Sequence, residues 1–409
     1  MRGGWLSGLP REVGVLVAVA FSVAVGFGIV APAIPVFARE FGVGRTAAGA
    51  VLSAFALMRL VSILGVGRLV DRFGERLVLA TGIGIVGVSS ALAGLAQTYE
   101  QLLFLRGIGG IGSAMFTVSA VSLLLRVVGP DQRGQASGLF SGGFLLGGIT
   151  GPALGGFVTA WSIRAPFFLY AGTLAVAGGI GLFALRHSAL ARAPEEDGRP
   201  QRTALLTALR SRAYRAALVT NFASHWAVLG VRAALVPLFV VEVLDVSLVW
   251  AGAGFGIVAG VNALILLPSG RLADTLGRRP LLIGGSLISA AAVGLLAVLP
   301  TLPAYVVAMV LFGLGSGMLD VAPAAVVGDI VQGRGGSVVA TYQMAGDAGA
   351  VIGPLVAGQL ADSLSYGAAF GATAGILLCA GLLSMAAPET RVPAPPADGG
   401  TPDQQPSRL

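Results

Sequence analysis

Apolar runs of about 20 residues follow one another along the chain, separated by short segments that hold most of its charges. The runs cover 13–37, 47–66, 78–96, 101–125, 135–159, 166–185, 216–240, 249–269, 280–299, 303–327, 337–360 and 366–386. Each reaches the length a helix needs to cross the hydrocarbon of a bilayer, and a helix satisfies its own backbone hydrogen bonds there. The pattern predicts an all-α membrane protein with twelve transmembrane helices. Arg2 and Arg11 before the first run imitate a signal peptide. That run exceeds the usual apolar core of about 7–15 residues, so it is read as the first span. Twelve crossings put both termini on one side of the membrane.

Composition agrees with the spans and excludes several chemistries. Of 409 residues, 55% are hydrophobic and 11% charged, whereas a soluble domain carries about 25% charged residues. All 26 basic residues are arginine. Without lysine there is no lysine Schiff base and no phosphate loop of the Gly-Lys-Ser/Thr type. His187, His225 and Cys379 are too few for a structural zinc site or a disulfide framework. Cys379 lies in an apolar run and reads as a small core residue. No enzymatic activity, cofactor or metal is expected. The net charge of +7 does not indicate nucleic acid, because the arginines lie between spans and form no stripe. Two G-x-G-x-x-G matches, at Gly82/Gly84/Gly87 and Gly107/Gly109/Gly112, lie inside spans and follow no strand.

Arginine also predicts the orientation. Twenty of the 26 fall in the tails and in loops on the side of the termini, while Arg39, Arg45 and Arg164 fall on the opposite side. Arg59, Arg106 and Arg232 lie within spans. By the positive-inside rule both termini are cytoplasmic, in a plasma (inner) membrane. The division expected is a six-helix bundle over 1–186, a polar cytoplasmic linker over 187–215, a second bundle over 216–386 and a disordered tail over 387–409.

The two bundles repeat each other. Gly67-Arg68-Leu69-Val70-Asp71 recurs as Gly270-Arg271-Leu272-Ala273-Asp274, and Gly110-Ile111-Gly112-Ser113-Ala114-Met115 as Gly313-Leu314-Gly315-Ser316-Gly317-Met318, both shifted by 203. Arg133-Gly134 recurs as Arg334-Gly335 and Gly151-Pro152 as Gly353-Pro354, within two residues of that offset. With six spans per half both copies enter from the same side, so they are parallel repeats. Two such halves around a midplane site can rock between two openings. The duplication points to transport.

Three motifs carry a family resemblance over essentially all twelve spans. The segment from Gly67 through Asp71, Arg72, Gly74 and Arg76 is similar to G-x3-D-[RK]-x-G-x-[RK]-[RK], with Leu77 at the last basic position. Its second copy keeps Gly270, Asp274, Gly277, Arg278 and Arg279 and has Thr275 at the first basic position. Gly147, Gly151, Pro152, Gly155 and Gly156 match G-x3-G-P-x2-G-G, with a partial copy at Gly349, Gly353, Pro354 and Gly358. Arg106 with Gly110 and Gly112 resembles R-x2-Q-G-x-G, Gly109 replacing the glutamine. The chain thus resembles the major facilitator superfamily and, within it, the drug:proton antiporters. The resemblance implies two pseudo-symmetric six-helix bundles, a gate formed by the two loop motifs and a helix bend at Pro152 and Pro354. It associates Arg106 with proton coupling.

Ionisable side chains within spans are costly and mark function. They are Arg59, Arg106, Arg232, Asp320 and Asp347, with Asn221 and His225 adding polarity to the seventh span. In the family, spans 1, 4, 7 and 10 line the cavity, which implies that Arg106, His225, Arg232 and Asp320 lie near substrate. Spans 2 and 11 face each other there, so an Arg59–Asp347 bridge is expected, closing the cytoplasmic side in one state. Asp320 or Asp347 is expected to carry the proton. The function expected is proton-driven export of drug-like or small amphipathic molecules. Import or exchange of an organic anion is the alternative, favoured by three arginines against two acids; a membrane sensor or scaffold is a third reading. Partners are the lipid bilayer, protons and a small-molecule substrate, with the proton gradient as energy source and oligomeric state open.

Overall fold

The computed structural model describes residues 10–128, 133–184, 202–330 and 336–391. The first half contains α1 (Arg11–Val30), α2 (Ala33–Arg39), α3 (Arg45–Phe73), α4 (Glu75–Gly94), α5 (Tyr99–Val127), α6 (Arg133–Trp161) and α7 (Ala165–Ala184). After α8 (Arg202–Arg210), the second half runs through α9 (Arg212–His225), a π-helical stretch (Trp226–Ala233), α10 (Val236–Glu242), α11 (Val249–Thr275), α12 (Arg278–Val298), α13 (Leu302–Ile330), α14 (Gly336–Ser363) and α15 (Tyr366–Met385).

These helices follow the twelve predicted spans in order. Ten described segments are long and apolar enough to span, and α7 contributes a shorter apolar helix, Ala165–Gly181. The remaining crossing, α14, is more polar, with Gln343, Asp347, Gln359 and Asp362 on it. Its neighbours explain why such a helix is tolerated: it packs against α3, α9 and the π-helical stretch, and Asp347, Gln359 and Asp362 each meet a partner on α3.

Two predicted spans are broken. Pro32 lacks an N–H and interrupts the first between α1 and α2. The seventh consists of α9, the π-helical stretch and α10, and such wide turns are frequent at functional sites. The expected linker 187–215 also contains structure: α8 and the start of α9 occupy its second part, while 185–201 lie outside the described residues. Of the tail, described up to Arg391, the first residues are held against the bundle as set out below.

The sequence repeat is a structural repeat. A Cβ on Gly112 of α5 would lie 2.6 Å from the Gly82 carbonyl oxygen of α4. In the other half, a Cβ on Gly315 would lie 2.8 Å from the Gly285 carbonyl oxygen. Both glycines are needed because the helix backbones touch, and the same offset of 203 relates all four residues. Within the halves α1 packs on α6 and α7, and α9 on α14; between them the principal contacts are α3 with α14 and α6 with α11.

Candidate functional site

Between the halves lies a cavity of about 490 Å³. The first half lines it with Phe27, Phe55, Arg59, Arg106, Phe116, Phe144, Pro152 and Tyr170; the second with His225, Val228, Leu229, Arg232, Phe255 and Ala350. Four of the second-half residues lie between His225 and Arg232, where the seventh span passes from α into π geometry. The aromatics form a wall of two patches, with ring centroids 6.2 Å apart for Phe27 and Phe55 and 6.1 Å for Phe116 and Phe144.

The structure brings Arg59, Arg106, His225 and Arg232 to this cavity and holds the other expected polar residues elsewhere. Arg59 Nη2 donates to Asp347 Oδ1 at 2.6 Å, joining α3 to α14 at mid-depth. Asp320 does not line the cavity among the described residues; Asn262 Nδ2 on α11 donates to it at 2.8 Å. It stands within electrostatic reach of Arg232 and His225 but makes no ion pair with either. Asn221 is buried and donates to the Tyr342 carbonyl at 2.8 Å, tying α9 to α14. Arg106, 1% exposed, stacks its guanidinium over Phe55 at 4.7 Å, and Arg232 stacks over Phe255 at 5.6 Å.

On the side away from the termini, here the far side, the halves are clasped together. Glu242 at the end of α10 receives Arg39 Nε at 3.1 Å, Arg45 Nη2 at 2.7 Å and the Tyr366 hydroxyl at 2.9 Å. Asp362 of α14 accepts from the backbone N–H groups of Arg45 and Thr46, at 2.9 and 2.8 Å, and so caps the first turn of α3 from the opposite half. Deeper in, the Ser53 hydroxyl donates to the Val351 carbonyl at 2.7 Å. Arg59–Asp347 is the innermost of these bonds.

Glycines make the clasp tight. A Cβ on Gly252 of α11 would lie 2.5 Å from the Gly156 Cα of α6, and one on Gly49 of α3 would lie 2.5 Å from the Pro354 carbonyl oxygen of α14. A Cβ on Gly358 would lie 2.7 Å from the Thr46 Cα. The helix-bend motif therefore has two duties. Gly147, Gly151 and Gly155 meet the backbone of α1, and Gly353 meets the π-helical stretch, both within one half; Gly156 and Gly358 meet the other half. Gly49 and Gly252 belong to none of the sequence motifs, although they are related by the same offset of 203.

The two loop motifs lie on the side of the termini. Gly74 and Gly277 end or begin helices at φ of 79° and 107°, a region open to glycine. Gly67, Asp71, Arg72 and Gly270 stand near the surface, and Arg72 stacks over Phe73 at 5.3 Å. Arg76 also has a partner. Asp274 is largely exposed and pairs with Arg278 at 3.1 Å, a contact of small energetic weight at the surface.

Next to each motif an ion pair ties two helices, with its charges reversed between halves. Buried Glu75, opening α4, pairs with Arg126 of α5. Arg278, opening α12, pairs with Asp329 of α13 at 3.0 Å. The positions correspond at the offset of 203, so the repeat conserves the bond while exchanging its ends. Neither Glu75, Arg126 nor Asp329 stood out in sequence, because each looks like an ordinary loop charge.

The second motif also holds the strap that follows α15. Glu389 accepts from the backbone N–H groups of Arg278 and Arg279 at 2.8 and 3.0 Å, capping α12, and Thr390 donates to Asp329 at 2.8 Å. Burial pushes the Glu389 carboxyl up, but four backbone N–H bonds outweigh it and hold the group below its ordinary value. Docking through Glu389 is therefore strongest above the free-chain pKa of about 4.3 and is lost as pH falls through the lower docked value. The protection factors of the Arg278 and Arg279 amides, each taken against the free-chain exchange rate at the same pH, are expected to hold at neutral pH and to fall as acid protonates Glu389; Glu389→Gln should lower them at neutral pH.

A two-bundle fold, a central cavity and a clasp on one side define a membrane carrier. The chain belongs to the Major Facilitator Superfamily, whose model matches residues 16–266 and 250–408. It is 31% identical to Multidrug resistance protein 1 of Bacillus subtilis over 166 residues, 41% of this chain and 43% of that protein. To Quinolone resistance protein NorA of Staphylococcus aureus it is 28% identical over 179 residues, 44% of this chain and 46% of that one. The chain thus spans less than half the length of these relatives. In fold it is similar to a bacterial homolog of the human lysosomal transporter Spinster in an inward-facing, occupied conformation, with a TM-score of 0.77, 16% identity and coverage of 91% of this chain and 95% of that one. A POT family transporter in complex with a peptide conjugate has the same TM-score of 0.77, at 12% identity over 93% and 96% of the two chains. The family to which the chain belongs is one of transporters and not of enzymes.

Proposed function

We propose that this carrier exports drug-like or small amphipathic molecules across the plasma membrane in exchange for protons, by alternating access. The observation that carries the reading is the cavity between two pseudo-symmetric halves, closed on the far side by ion pairs and glycine contacts that can part without breaking either bundle. The arginine distribution puts the termini in the cytoplasm, so the far side is outside and this state receives substrate from within. The names of the Bacillus and Staphylococcus relatives support drugs as cargo. Arg59–Asp347, expected from sequence to close the cytoplasmic side, is continuous instead with the far-side clasp. In this reading it is made when the outside is closed and breaks when the outside opens, and the two loop motifs form the complementary cytoplasmic gate. Of the two acids, Asp347 is already neutralised by Arg59, so Asp320 is assigned the coupling proton.

Purified protein in vesicles loaded with ethidium or, separately, with the amphipathic anion 2-naphthalenesulfonate tests this, flux of either probe counting. Efflux that accelerates when an inward proton gradient is imposed supports the reading; absence of flux overturns it and favours a sensor. Asp320→Asn is expected to abolish at least nine-tenths of the gradient-driven rate, since an amide cannot cycle a proton, while leaving downhill exchange of substrate intact.

A further inference from the structure

The cavity has a charge problem that its own residues do not solve. Arg106 is 1% exposed, and its Nε and Nη2 have no hydrogen-bond partner. Across the cavity, Arg232 Nε is also without one. No aspartate or glutamate lines the cavity among the described residues. Asp347 is engaged by Arg59, and Asp320 is held by Asn262, in electrostatic reach of Arg232 but not of contact. Arg106 therefore has no compensating anion among the described residues. Its stacking on Phe55 offsets part of the cost of burying a guanidinium, but stacking satisfies none of the in-plane N–H groups, whose geometry matches a carboxylate.

We infer that the cavity binds amphipathic organic monocarboxylates, with the carboxylate on Arg106 and an aromatic body against Phe27, Phe55, Phe116 and Phe144. The inference rests on the transporter reading for what happens after binding and sharpens it by naming the substrate class. A carboxylate supplies the acceptors the buried N–H groups lack and balances the charge. A neutral molecule of the same shape leaves both unmet, and a cation adds repulsion. The apolar wall supplies the remaining affinity and limits size, because the cavity volume of about 490 Å³ suits a two- or three-ring molecule better than a small polar acid.

The test compares three probes that share one body and differ in charge. The full chain, reconstituted in vesicles without any gradient, is equilibrated with radiolabelled 2-naphthoate and challenged with unlabelled 2-naphthoate, 2-naphthamide or 2-naphthylmethylammonium. Naphthoate is expected to compete at least tenfold better than the amide, the factor a charge-assisted hydrogen bond to a buried partner supplies, and the ammonium least well. Arg106→Gln should bring naphthoate down to the level of the amide and leave the amide unchanged; Arg106→Lys should recover part of the difference. Equal or tighter binding of the amide or the ammonium by the unaltered protein overturns the inference, whether or not the variants fold. So does a tenfold preference that survives Arg106→Gln. The two readings fail separately: a protein that binds naphthoate but moves no substrate is not a transporter, whereas one that drives ethidium efflux yet shows no preference for naphthoate lacks the anion site.

Discussion

Arg59→Ala is expected to reduce transport about a hundredfold, and Asp347→Asn distinctly less. The asymmetry follows from where the two ends of the bridge sit. Asp347 is 7% exposed, whereas the Arg59 side chain keeps 33% of its surface open on the cavity side. Removing the arginine strands a buried carboxylate, a change that costs about 3–5 kcal/mol when a buried pair is broken. Replacing the aspartate with asparagine leaves an amide that still accepts a hydrogen bond and an arginine that water can reach. Because the bridge belongs to the state with the far side closed, its loss shifts the balance of states as well as the rate. The measurement is substrate flux in vesicles together with labelling of a cysteine introduced at Ala233, which lines the cavity, in a Cys379→Ser background, with reagent applied from each side. Arg59→Asp combined with Asp347→Arg should recover part of the flux. Equal loss in the two single variants, with unaltered labelling, would argue that the bridge only holds the fold.

Gly252→Leu should hold the protein open on its far side. Even a methyl group there would lie 2.5 Å from the Gly156 backbone of the other half, closer than any carbon contact, and no rotamer relieves a clash at Cβ. The helices α6 and α11 must separate, which they can do at their far ends without disturbing the packing inside either bundle. Flux should fall at least tenfold, since a factor of ten needs only about 1.4 kcal/mol of bias and overpacking costs about 1–3 kcal/mol. The cysteine at position 233 should gain reactivity from the far side. Gly49→Leu, the counterpart by symmetry, should behave alike. On the same helices a Cβ at Gly260 or Gly65 meets nothing within 4 Å, so Gly260→Ala and Gly65→Ala are expected to retain flux. If the controls and the clasp variants lose activity equally, the glycines serve helix stability and not closure.

The same clasp shows how far a sequence can be read. The succession of apolar helices and the duplication were legible because bilayer thickness and the exclusion of charge impose patterns along the chain itself. Arg59, Asp347, Arg106 and Arg232 were legible as candidates because a charge within an apolar run is conspicuous. The bridge between Arg59 and Asp347 needed the family's arrangement of spans, since nothing local relates two residues 288 positions apart. Asn221 looked like a cavity residue and proves to tie α9 to α14. The aromatic wall was invisible for the opposite reason: in helices that are apolar all round, no periodicity distinguishes the face toward a cavity from the face toward lipid. Glu75, Arg126, Asp329 and Glu389 were hidden among the charges at span ends, where an ionisable side chain is ordinary.

The sequence by itself determined that this is a duplicated membrane protein of the major facilitator type. Those properties depend on what each segment can exchange with water or lipid, which is settled residue by residue. Only the tertiary structure decided which charges are neutralised, which glycines join the halves and which guanidinium remains without an anion. Each of these depends on distances of a few ångströms between helices far apart in the chain, and a side chain's electrostatic partner is set by that packing and not by its neighbours in sequence.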